Sequence, residues 1–147
     1  IKHSQKLVID KNRVFITPFG DIFVHHMKKY PIITAQKKVC SVLTLNQNIT
    51  NNIGLMQLWV MYKNLYKSQN KSNAINGFLS YLKIDNLFYE MPTEAELVVL
   101  INKQVKSSVK DIASHLYLSP RTIETHISRL KAKIKIDLNI LLELIRA

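Results

Sequence analysis

The sequence predicts an α+β chain: an antiparallel β-meander, then connecting helices, then an all-α unit of four helices. Three observations predict it. Residues 1–50 hold β-branched and apolar residues in short runs separated by turn signals. Residues 51–90 change to apolar spacings of three and four. Residues 91–147 contain three helix-start signals, each followed by an inward-facing apolar series.

In the first part, Val8, Val14, Ile16, Ile22, Val24, Val39, Val42 and Leu43 supply the strand-forming runs. Pro18, Phe19, Gly20 and Asp21 make a turn between the first two runs, and Ala35, Gln36, Lys37 and Lys38 a polar reversal between the next two. The expected product is a meander of about three strands, too small to fold well alone. Cys40, the single cysteine, stands between Val39 and Val42 and is expected to be a buried, inert thiol. A lone cysteine makes no internal disulfide, which is compatible with a reducing cytoplasm.

From residue 51 the period lengthens. Ile53, Met56 and Val60, with Leu55, Leu58, Trp59 and Leu65, form a broad apolar stripe at helical spacing. Met56, Trp59 and Met61 are expected in a core or a dimer contact rather than around a ligand. Residues 68–73 form a polar break, after which a second short helix carries Ile75, Phe78, Leu79 and Leu82.

The last part is punctuated most clearly. Thr93 and Glu96 form a T-x-x-E capping box, with Pro92 just outside it, ahead of Leu97, Leu100 and Ile101. Ser108 with Asp111 opens a short helix whose Ile112, Ala113 and Leu116 face inward. Ser119 is a third N-cap, with Pro120 at the first helical position, where its missing N–H costs nothing. The helix that follows buries Ile123, Ile127, Leu130 and Ile134, and a final amphipathic segment runs from Asp137 with Leu138, Leu141, Leu142 and Ile145.

Composition narrows the function classes. With 147 residues, 47% of them hydrophobic, the chain can fill a core, and its three glycines exclude a Gly-rich phosphate loop. No run approaches the roughly 20 apolar residues of a membrane span. The net charge of +11 points to a polyanionic partner, yet Lys outnumbers Arg 17 to 4, so charge alone decides little. Residues 1–90 carry +8 and residues 91–147 carry +3; within the latter the stretch 106–135 is +5, offset by acidic residues on either side. His25 and His26, adjacent on a strand, point to opposite faces and make no shared metal site. No catalytic pairing of Cys40 with a histidine is indicated, and no enzyme, metal or cofactor is expected. The chain opens on Ile1 rather than Met and is read as a fragment, so targeting signals are not legible.

The spacing between the second and third helices of the last part carries the functional reading. Leu116, Tyr117, Leu118 and Ser119 leave only a tight turn between a short helix and a longer one. This is helix-turn-helix geometry, in which the second helix enters the major groove. With Ile123 facing the core, Arg121, Thr125, Ser128, Arg129 and Ala132 fall on the opposite side, which is polar, basic and built of small residues.

These residues resemble the DNA-binding domain of LuxR-type (GerE-type) transcription regulators. The resemblance runs through Ser108-Val109-Lys110-Asp111-Ile112-Ala113, then Leu116-Tyr117-Leu118-Ser119-Pro120-Arg121-Thr122-Ile123-Glu124-Thr125-His126, and closes at Lys133-Ile134. It covers residues 91–147 without a gap. Pro92, Ala95, Val98, Lys106 and Val109 depart from the family pattern, in and around the first helix. The resemblance implies that Glu124, Thr125 and Ser128 face base edges. It implies that Lys110, Arg121, Thr122, His126 and Lys133 hold phosphates or brace the recognition helix, and Arg129, on the same outward side, is expected as a further phosphate contact. The stripe of Leu138, Leu141, Leu142 and Ile145 is wide enough to cover the domain's own core and leave an edge exposed; the resemblance implies that it pairs two copies of the chain, the alternative being a helix that only caps the core. Glu124 can accept from a cytosine amino group but repels phosphate, so it suggests selectivity or a salt bridge.

The first part is similar to the second half of a PAS-type sensor domain. Thr17-Pro18-Phe19-Gly20-Asp21 followed by Lys28-Lys29-Tyr30-Pro31 looks like its hairpin, and the run ending in Asn48-Ile49-Thr50 like its last strand, with Asn where many relatives have Asp. On that resemblance the front half of the sensor, with most of its pocket, is missing from this chain.

The expected organisation is therefore a partial PAS-like segment at 1–50, a helical connector at 51–90 and a helix-turn-helix domain at 91–147. The expected function is sequence-specific regulation of transcription in the bacterial cytoplasm by a homodimer on double-stranded DNA. RNA polymerase and a small-molecule signal are further candidate partners, and no membrane contact is expected. The alternative is a ligand- or partner-binding sensor module without direct DNA readout. Steep weakening of binding with salt distinguishes the first from the second.

Overall fold

The computed structural model describes residues 9–65, 71–106 and 108–146. Val8 and Ser68, which the sequence placed in a strand and a polar break, lie outside them. The chain divides into two compact units between Ile53 and Gly54.

The first unit is an antiparallel sheet of β1 (Ile9–Ile16), β2 (Ile22–Ile33) and β3 (Val39–Asn48) in the order β1-β2-β3. The β1–β2 turn closes where Thr17 N–H donates to Asp21 O at 2.9 Å, and Gly20 takes a φ of +88° that a side chain would oppose. The β2–β3 turn closes between Thr34 and Lys38 at 2.8 Å. Pro31 sits in the central strand, past the last pairing with β1 among the described residues, Ile9 with Lys29, and beside a bulge at Ile32 and Ile33. There its missing N–H interrupts least.

Asn48, where an Asp was the commoner expectation, still acts as an acceptor. Its side-chain oxygen takes the N–H of Thr50 at 3.0 Å and the Thr50 hydroxyl at 2.6 Å. Thr50 Oγ1 in turn accepts the N–H of Val24 at 2.8 Å, and Ile49 N–H donates to Val24 O. The end of β3 is thereby tied back to the central strand.

The buried residues of β2 are Ile22, Val24, Met27 and Pro31, while every residue of β3 is exposed. Cys40 is therefore not the buried thiol the sequence suggested. It lies on an edge strand, exposed, with its Sγ–H donating to Ile32 O at 3.3 Å. His25 and His26 diverge as expected: His25 packs its ring against Phe15 at 5.2 Å, and His26 reaches Asp10 at 3.0 Å and Asn12 at 2.7 Å.

The second unit is all-helical. It contains α1 (Leu55–Leu65), α2 (Lys71–Tyr81), α3 (Glu94–Val105), α4 (Val109–Leu116), α5 (Pro120–Lys133) and α6 (Leu138–Arg146). Lys71, Ser72 and Asn73, expected in the polar break, already belong to α2. Trp59 of α1 is 1% exposed and stacks obliquely on Phe78 of α2, centroids 5.2 Å apart, with Tyr62 and Tyr81 on the same ring. Gly77 is what lets α2 approach: a Cβ there would run into the Tyr62 hydroxyl.

All three expected caps form. Thr93 and Glu96 make the reciprocal capping box of α3, with Thr93 N–H on Glu96 Oε2 at 2.9 Å and Glu96 N–H on Thr93 Oγ1 at 3.3 Å. Ser108 caps Asp111 and Ser119 caps Thr122, both at 3.1 Å. α4 ends on Tyr117, in the left-handed region at φ +55°, and Leu118 N–H closes the turn onto Ala113 O at 2.9 Å. The core between these helices is Val99, Ile112, Ala113 and Ile123, with Val109, Leu116 and Ile127 packed against it.

Gly77→Ala tests the α1–α2 packing. Alanine is about 1 kcal/mol better than glycine in a helix interior. The overlap with buried Tyr62 is expected to outweigh that gain and leave the protein about 1–2 kcal/mol less stable. Urea unfolding followed by the fluorescence of Trp59, the single tryptophan, measures it.

Candidate nucleic-acid interface

α5 is held so that one side points outward. Ile123 and Leu130 are fully buried, Thr122, His126, Ile127 and Lys133 are half-buried, and Arg121, Glu124, Thr125, Ser128, Arg129, Lys131 and Ala132 are exposed. Two bulky anchors seven residues apart fix the helix's rotation, and the short residues opposite leave its backbone approachable. On α4, Lys110 is exposed as well. Glu124, Ser128 and Lys131 also line a cleft of about 450 Å³ with Lys103, Asp137 and Asn139.

The hydroxyls at the start of α5 are already engaged. Ser119 Oγ accepts the N–H of Thr122 and shares a 2.8 Å hydrogen bond with the Thr122 hydroxyl. Thr125 Oγ1 donates to Arg121 O at 2.9 Å. Thr122 therefore stands inside the cap, bracing the helix start. Pro120 has no N–H and Ile123 N–H goes to Ser119 O, so Arg121 provides the first-turn backbone donor left for an anion. His126 has its Nδ1 buried without a hydrogen-bond partner, so a contact to phosphate would run through Nε2.

Two groups of expected site residues stand elsewhere. Lys133, expected to hold a phosphate or to brace the recognition helix, turns inward, away from a phosphate: its side chain is 15% exposed and its ammonium donates to Glu96 Oε2 at 2.8 Å, with Glu90 at 3.8 Å. It braces α5 against α3 because a buried carboxylate holds it there. Leu138, Leu141 and Leu142, expected to pair two copies, are 3%, 0% and 8% exposed and belong to the monomer's own core. The apolar surface of α6 that faces outward is Ile140 and Leu144, with Ile145 half-buried. The stripe of this segment thus closes the core first, and its outer edge stays exposed.

In the sequence Glu96 marks a helix cap and nothing more. Burial would raise its carboxyl pKa. The hydrogen bond from Lys133 and the capping bonds at Thr93 outweigh that and hold it below the ordinary value of 4.5. No local spacing connects residues 96 and 133, so the pairing was visible only in three dimensions.

Among the described residues there is no group of three or more His, Cys, Asp or Glu that could hold a metal ion. No described helix is long and apolar enough to cross a membrane.

A capped helix pair joined by a tight turn, with a basic outward side on the second helix, defines a helix-turn-helix domain. Residues 96–140 match the family of bacterial regulatory proteins, luxR family (GerE), and form its helix-turn-helix domain. Among solved structures, the chain is similar to a Vibrio cholera VqmA–ligand–DNA complex, at 16% identity and a TM-score of 0.40 over 94% of this chain. It is also similar to a phage VqmA–DPO complex, at 24% identity and a TM-score of 0.41 over 96% of this chain. The chain spans 53% and 52% of those two chains, about half their length. No curated protein matches it.

The Glu96–Lys133 pair predicts an acid sensitivity. A carboxyl with a depressed folded pKa contributes stability that is present above 4.5 and lost as pH falls through the folded value. Glu96→Gln is expected to cost about 3 kcal/mol at pH 7 and to flatten the loss of stability below pH ~5. Denaturant midpoints measured across pH 3–7, an interval of about four units around that transition, would show both effects.

Proposed function

We propose that this chain is part of a regulator that binds specific double-stranded DNA sequences through α5 and controls transcription. The observation that carries the reading is the outward side of α5, where Arg121, Thr125, Ser128, Arg129 and Ala132 are exposed together behind the Ser119 cap. Lys110, Arg121 and Arg129 supply phosphate affinity, with His126 through Nε2, and displace counterions from the backbone. Glu124, Thr125 and Ser128 reach the base edges.

The proposal keeps a three-part organisation: residues 1–50 as a partial PAS-like sensor segment, 51–90 as a connector and 91–147 as the DNA-binding domain. It places the protein in the cytoplasm, takes a small molecule as the signal and RNA polymerase as a downstream contact, and assigns no catalytic step. Two copies pair through α6, by Ile140 and Leu144 on its outward side with Ile145 beside them. A two-fold pair then sets the recognition helices about 34 Å apart, one DNA turn.

Two measurements test this. Lys110→Ala is expected to weaken binding to all duplexes alike and to reduce the salt slope by about one, whereas Ser128→Ala should shift the preferred bases by about 1–3 kcal/mol. Equal, sequence-blind losses from both would remove the reading face and leave the sensor module without direct readout. For pairing, Leu144→Glu is expected to leave the fold and single half-site binding intact while abolishing cooperative binding to a two-half-site fragment. Leu141→Glu should unfold the domain instead, since Leu141 is wholly buried.

A further inference from the structure

The atoms that α5 leaves free narrow what it can read. Thr125 is exposed on the side of the helix opposite Ile123, one turn beyond Arg121 and one turn before Ser128 and Arg129. Its hydroxyl proton is committed to Arg121 O at 2.9 Å, within its own helix. A threonine hydroxyl has one proton, so Thr125 has none to donate to a base. What Thr125 still offers a base is its methyl group and the lone pairs of Oγ1. Two turns further along the same side, exposed Ala132 presents a second methyl.

In the major groove the apolar feature of a base-pair edge is the C5-methyl of thymine. A cytosine amino group set against the Thr125 methyl loses its water and gains nothing from the methyl itself. Guanine presents only acceptors, for which Thr125 has no proton, and adenine or cytosine can use the hydroxyl only by donating an amino hydrogen to Oγ1, a contact that does not depend on the methyl group.

We infer that, on the DNA-binding reading above, Thr125 selects thymine by methyl-to-methyl contact in the major groove, with Ala132 extending the apolar strip. The helix's own hydrogen bond turns a residue usually read as a polar contact into an apolar one.

Uracil differs from thymine by that methyl group alone, so the experiment compares the two. The full chain is used to select fragments from a random-sequence duplex pool. The enriched sequence is then remade with deoxyuridine in place of thymidine at one position at a time. At one thymine position the substitution should weaken binding about fourfold, the worth of one buried methyl group. Thr125→Ser, which keeps the hydroxyl and drops the methyl, should bind the thymine and uracil duplexes equally at that position. Thr125→Val, which keeps a methyl and drops the hydroxyl, should retain the preference. The inference is overturned if no uracil position weakens the parent protein, or if Thr125→Ser still discriminates, or if Thr125→Val loses discrimination. The comparison on the parent protein needs no variant to fold. Failure of the DNA-binding reading itself looks different, because no fragment would then be enriched from the pool.

Discussion

Glu96 and Lys133 meet in a place where neither could stand alone. Glu96 is 1% exposed, and an isolated carboxylate there would be neutralised or would force the helices apart. Its oxygens accept Lys133 at 2.8 Å and the N–H of Thr93 at 2.9 Å. One carboxylate thus joins the start of α3 to the end of α5. A short bridge between Phe88 and Ile134 adds to the same joint, with Tyr89 N–H on Lys133 O at 2.7 Å and Lys135 N–H on Leu87 O at 2.8 Å. Pulled in at its last turn by the ion pair and pinned at Ile123 and Leu130 by the core, α5 has one rotation available. The side it shows to solvent follows from that.

The same economy of side chains shapes the outward face. Lys133 is drawn away from it, and Thr122 is absorbed into the Ser119 cap. Thr125 spends its proton on Arg121, so the face is less polar than its residue names suggest. Its positive charge comes from Lys110, Arg121, Arg129 and Lys131, with Glu124 as the exposed carboxylate among them. α6 divides its apolar residues in a similar way: three leucines complete the core, and Ile140 and Leu144 remain outside.

In the first unit the two edges of the sheet differ chemically. β1 carries Asp10, Lys11 and Arg13, charges that discourage further pairing at an edge, whereas β3 is uncharged over its ten residues. The knot of Asn48, Ile49 and Thr50 on Val24 fixes where β3 ends. An amide oxygen serves there because the bonds need an acceptor and not a charge.

What the sequence determined by itself was local. Thr93, Ser108 and Ser119 each start a helix because a side-chain oxygen three residues from a free N–H needs no help from the rest of the chain. The Thr17–Asp21 and Thr34–Lys38 turns, and the exposure of Arg121, Thr125 and Ser128 opposite Ile123, were legible for the same reason: dihedral preference and helical period act over a few residues. Tertiary structure decided everything that depends on a distant partner. Cys40 is exposed because its strand lies at the edge. Leu138, Leu141 and Leu142 are core because α3 and its neighbours reach them first. Lys133 faces inward because it pairs with the buried carboxylate of Glu96, 37 residues earlier. Burial and charge pairing are set by which surfaces meet, and one strand or helix does not carry that information.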